Sequence, residues 1–125
     1  MEHLEELKYK AEVVIKMFAE TKNVNLDYDE KSIKYLDSYI NEIREEFRQE
    51  IIDKLISIFG SFLGETIRLN HGGNWEIINN EFAVRVNDKV AVFPFSKVRK
   101  QFKNGSEDSI LSFYQLAPTL DKLKK

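Results

Sequence analysis

Apolar residues recur at helical spacing through the first half of the chain and at strand spacing after residue 73. Leu4, Leu7, Ala11, Val14 and Phe18 mark one face of a first helix, with Glu and Lys between them. The polar stretch 21–26 predicts a connection. A second helix starts near Asp27, where Asp27 and Glu30 form an acidic variant of the capping box. Ile33, Leu36, Ile40, Ile43 and Phe47 hold its buried face, flanked by Tyr28, Tyr35 and Tyr39. A third helix runs from about Glu50 to Leu69 and is apolar all round, as a central helix is. One helix over 28–69 would be unusually long for a small domain, so a break is expected near 48–50. Gly60 and Gly64 share a face of the third helix and let another element approach closely. The segment 70–73, with Gly72 and Gly73, stops the helix.

Short runs rich in β-branched and aromatic residues follow at 75–78, 82–86 and 90–93. The pairs Asn79-Asn80 and Asn87-Asp88 tolerate positive φ and suit two-residue hairpin turns. A three-stranded antiparallel meander is predicted. Phe82, Val84 and Val86 share one face, Ala83 and Arg85 the other. After Pro94, Ser96 is placed to cap a short helix that buries Phe95, Val98 and Phe102. Asn104-Gly105 stops it, and Ser106 is placed to cap a last helix ended by Pro118. The expected fold is therefore α+β: N-terminal helices packed on a β-meander, then two short C-terminal helices. No repeat or linker divides residues 1–125, which read as one domain: 1–70 mainly helical, 74–93 the meander, 96–117 short helices, 118–125 a tail.

Composition narrows the functional classes. At 42% hydrophobic residues, 125 residues can bury a core. The absence of Cys excludes a disulfide framework, a cysteine zinc site and a cysteine nucleophile. No apolar run approaches the ~20 residues of a spanning helix. The charged segment 1–10 lacks a signal-peptide core, so a cytoplasmic, bacterial-type protein with no membrane partner is expected. The net charge of −2 conceals an asymmetry. Residues 1–53 hold 8 basic and 14 acidic side chains, and residues 54–125 hold 11 and 7. Lys97, Arg99, Lys100 and Lys103 fall within seven residues and would occupy the outer face of the short helix. Such a run is either a solvated face or a patch for an acidic partner. The acidic balance of the whole chain argues against nucleic acid.

Catalytic signatures are absent. His3 and His71 lack metal-ligand spacing, so no metal or cofactor is expected. In the segment 60–64, Ser61 sits one place early for a nucleophile elbow and lies inside a helix. Gly72-Gly73 follows a helix, whereas a dinucleotide loop follows a strand. The best polar constellation is Glu65, Arg68 and His71, spaced at i, i+3, with Trp75 after them. It reads as a surface pair, a capping His and a core Trp, or as an acid–base set lining a cleft between helix and sheet. Arg85 reads as solvent-facing. Under a helix it would need a carboxylate, and Glu65 is the candidate.

The segments 60–65 (GSFLGE), 72–75 (GGNW), 92–95 (VFPF) and 97–100 (KVRK) give the chain a resemblance to a family of small uncharacterised bacterial proteins, over about residues 55–115. The resemblance implies the architecture and no activity. Related small α+β proteins occur as partners or inhibitors of other bacterial proteins. The leading expectation is thus a non-enzymatic binding module, inhibitor- or immunity-like, with an acidic protein partner. The alternative is a small-ligand binder or enzyme at Glu65, Arg68, His71 and Trp75. A homodimer built through exposed Tyr and Phe is a third.

Overall fold

A computed structural model of the chain describes residues 3–119. Helices α1 (Leu4–Lys22), α2 (Glu30–Ile43) and α3 (Gln49–His71) precede strands β1 (Asn74–Ile78), β2 (Glu81–Asn87) and β3 (Val90–Val92). Helices α4 (Pro94–Asn104) and α5 (Ile110–Leu116) follow. The strands form an antiparallel meander in the order β1-β2-β3, so the fold is α+β as the periodicity predicts. The expected tail from Leu120 onward lies outside the described residues.

The apolar stripes find their partners through α3. Leu7, Ala11, Val14 and Phe18 of α1 are buried, and α1 packs along α3. Phe18 makes T-shaped contacts with Tyr35 and Tyr39, ring centroids 5.4 and 4.8 Å apart, and the half-buried tyrosines lie at the core margin. Every residue of α3 from Phe59 to Ile67 is buried, because α1, α4, α5 and β2 all pack against it. Ser61 and Thr66 return their hydroxyls to the carbonyls of Ser57 and Phe62, which satisfies them within the core. The two glycines of α3 make seats for rings: Phe95 lies against Gly60, and Trp75 with Pro94 against Gly64.

Local starts and stops differ from expectation where a distant partner intervenes. α2 begins at Glu30, not near Asp27. Asp29 is its cap, accepting from Ser32 N at 2.8 Å, and Ser32 Oγ accepts from Asp27 N in return. The hydroxyl of Ser32 does the work assigned to the Glu30 carboxylate. α2 ends at Ile43, ahead of the expected break, so Phe47 falls in the turn and is 40% exposed. Ser96 does not cap α4. Pro94 opens that helix with a φ already suited to it, and the Ser96 hydroxyl donates to Glu81 of β2 instead. Ser106 does not cap α5. Residues Gly105–Asp108 form a 3₁₀ turn, and Ser109 is the cap, accepting from Ser112 N at 3.2 Å.

The two hairpins also differ. Asn79 and Asn80 have φ of 53° and 64°, as a primed two-residue turn requires. The second turn is Asp88-Lys89 rather than Asn87-Asp88, and Asn87 and Asp88 do not take positive φ. Asn87 stays in β2 and closes the turn with its side chain, accepting from Lys89 N and Val90 N. The pairing skips Val86, since Arg85 faces Ala91 and Asn87 faces Val90. On the core face Trp75 lies opposite Val84, and both are buried.

Candidate functional site

The predicted constellation assembles in part. Glu65 is 3% exposed, and its carboxylate accepts from Arg68 Nε at 2.8 Å and from the second Arg68 nitrogen at 3.1 Å. Trp75 Nε1 donates to the same carboxylate at 2.8 Å. Burial pushes the Glu65 carboxyl up, but the Arg68 fork and the Trp75 N–H outweigh it and hold the group below its ordinary value. Glu65 in turn raises the Arg68 guanidinium. His71 goes elsewhere. Its Nε2 lies 3.1 Å from the Tyr114 carbonyl, with its ring against the Tyr114 ring of α5. A carboxylate kept ionised with both oxygens occupied is a clamp between α3 and β1, and no imidazole stands beside it to move a proton.

Arg85 does not meet Glu65. It lies on the outer face of the sheet and donates to Glu76 at 2.7 Å, with both side chains 38% exposed. The strand register explains this: Glu76 faces Ala83, and Arg85 stands two places along on the same face. Glu65, by contrast, is beneath the core face, where Trp75 reaches it.

The four basic residues of α4 separate into two kinds. Lys97 is half-buried and bonded to Asp108 at 3.1 Å. The Asn104 amide, then the Lys97 ammonium, hold the Asp108 carboxyl below its ordinary value. Arg99, Lys100 and Lys103 are exposed, and among the described residues none has a carboxylate within 4.0 Å.

Arg99 stands between two clefts. One, of about 390 Å³, has a floor of Ile52, Ile56 and Phe102 and a rim of Arg44, Arg99 and Lys103. The other, of about 310 Å³, opens between α1, α3, the β1–β2 hairpin and α4. Neither is lined by Glu65, Arg68, His71 or Trp75. Arg44 is already engaged at the rim: it donates to the carbonyls of Phe102 and Lys103 and so caps the C-terminus of α4. Among the described residues no three His, Asp or Glu side chains converge as metal ligands. None of their helices is long and apolar enough to cross a membrane.

Two buried polar residues bonded to each other, Asp37 and Gln101, are not among the residues the sequence singles out. Gln101, fully buried in α4, donates to Asp37 Oδ1 at 2.6 Å and accepts from Ile110 N at 2.8 Å. Asp37 also accepts from Ser109 Oγ and, at 3.0 Å, from Leu111 N. Each interrupts an apolar stripe, Asp37 between Ile33 and Ile40 and Gln101 between Val98 and Phe102. That interruption is the signal that was available.

Comparison with family models, curated proteins and solved structures finds no match to this chain.

Proposed function

We propose that the chain is a non-enzymatic binding module that receives an acidic segment of a partner protein on α4. The observation that carries this is the trio Arg99, Lys100 and Lys103, exposed and, among the described residues, with no carboxylate within 4.0 Å, beside an apolar-floored cleft. Cations left free by their own chain are the ones a partner's carboxylates can take, and a guanidinium takes them as a fork. The floor of Ile52, Ile56 and Phe102 suits one apolar anchor among the acidic residues. An inhibitor- or immunity-like pairing fits this scheme, with the acidic surface on the protein being restrained. Lys97 is left out, because reversing it would break the Asp108 pair and confound the fold with the interface.

The test is a pull-down with the tagged chain, comparing wild type with an Arg99→Glu, Lys100→Glu, Lys103→Glu variant whose circular dichroism and melting are unchanged. A stoichiometric partner captured by wild type, released by salt and lost in the variant is expected. Equal capture by both would overturn the assignment of α4.

A further inference from the structure

We infer that the cleft between α1, α3, the β1–β2 hairpin and α4 binds a small zwitterion of amino-acid size with an apolar side chain. Its volume of about 310 Å³ is at the lower end of small-molecule sites. Its floor is apolar: Leu7, Ile56, Phe82 and Phe95 line it, and the two phenylalanine rings lie 6.0 Å apart. The charges around that floor do not cancel internally. Lys10 and Glu6 neutralise each other at 3.2 Å, and Lys10 is further tied to Ser57 at 3.0 Å. Arg99 has no carboxylate within 4.0 Å among the described residues. Asp53 and Glu81 face the same space and, among the described residues, engage only neutral groups, the Gln49 amide and the Ser96 hydroxyl.

One free cation and two carboxylates lacking a cation thus surround an apolar floor. A neutral apolar ligand would cover the floor but offer none of the three charged groups a counter-charge. A simple anion would satisfy Arg99 but meet Asp53 and Glu81. A simple cation would do the reverse. A zwitterion satisfies both signs: its carboxylate on the Arg99 fork, its ammonium on Asp53 or Glu81, and its side chain on the phenylalanines. This inference does not rest on the acidic-partner reading, since neither Lys100 nor Lys103 lines this cleft.

The probes are L-phenylalanine and L-leucine, titrated calorimetrically into the full chain at millimolar concentrations. Phenethylamine and 3-phenylpropionate, each carrying one charge, are the controls. Saturable one-to-one binding of at least one amino acid is expected, with each control weaker by about tenfold or more. Arg99→Gln and the Asp53→Asn, Glu81→Gln double variant should each weaken binding by about tenfold or more with an unchanged far-ultraviolet spectrum. The Lys100→Glu, Lys103→Glu variant should bind as wild type does. No heat from either amino acid, equal binding of a singly charged control, or indifference to Arg99→Gln would overturn the inference.

Discussion

At Gly64 there is no room for a methyl group: a Cβ there would lie 2.0 Å from the Trp75 ring. At Gly60 it would lie 2.4 Å from the Phe95 ring. Alanine would add about 1 kcal/mol of helix propensity, but overpacking costs about 1–3 kcal/mol. Gly64→Ala should therefore lower the urea midpoint. Gly60→Ala should lower it less, because Phe95 is only half-buried and has room to turn. Trp75 also fixes the role of Glu65. The folded-state carboxyl titrates below its ordinary value of 4.5, so its stabilisation is complete above that pH and is lost as pH falls through the folded value. Glu65→Gln should cost about 2–3 kcal/mol at neutral pH. The difference in melting temperature from wild type should shrink as the solution is acidified below 4.5. A gap constant down to strongly acidic pH would contradict the ionised clamp. The spacing of Glu65 and Arg68 made their pairing legible in the sequence. The diversion of His71 was not, because Tyr114 is 43 residues away and local spacing says nothing about it.

At the scale of elements, the 3.6-residue period identified the helices, and the β-branched runs identified the meander. Their ends were harder to read because the capping groups come from elsewhere in the chain. Ser96 looks like a cap until Glu81 takes its hydroxyl. Ser106 looks like one until Asp37, 72 residues before Ser109, draws the start of α5 to itself. α5 has only seven residues, too few to be stable alone, so its order depends on that carboxylate and on Gln101. Asp37→Ala leaves the Leu111 N–H and the Ser109 hydroxyl without the carboxylate that accepts from them and should cost about 2–3 kcal/mol. Hydrogen exchange gives the sharper test. Amides of residues 110–116 should lose protection before those of α3, whereas uniform loss would show that Asp37 supports the whole core instead of this helix.

Across the whole molecule, the sequence revealed an excess of basic residues after residue 53 but not which of them stay free. Folding removes Lys97 from the set by bringing Asp108 beside it, and it settles Arg85 on Glu76. It also makes the clefts, whose walls come from helices and a hairpin far apart in sequence. Glu6, Lys10, Asp53 and Glu81 sit on flanks of their elements and carry no distinguishing pattern there. The α4 trio stays exposed within one helix, with no carboxylate within 4.0 Å among the described residues. Amine labelling read by mass spectrometry tests that trio most directly, comparing the free chain with the chain captured in its complex. Lys100 and Lys103 should label slowly in the complex and rapidly when free, while Lys16 and Lys34, exposed on α1 and α2, should label alike in both. Unchanged labelling of Lys100 and Lys103 in the complex would contradict the assignment of α4 as the contact face.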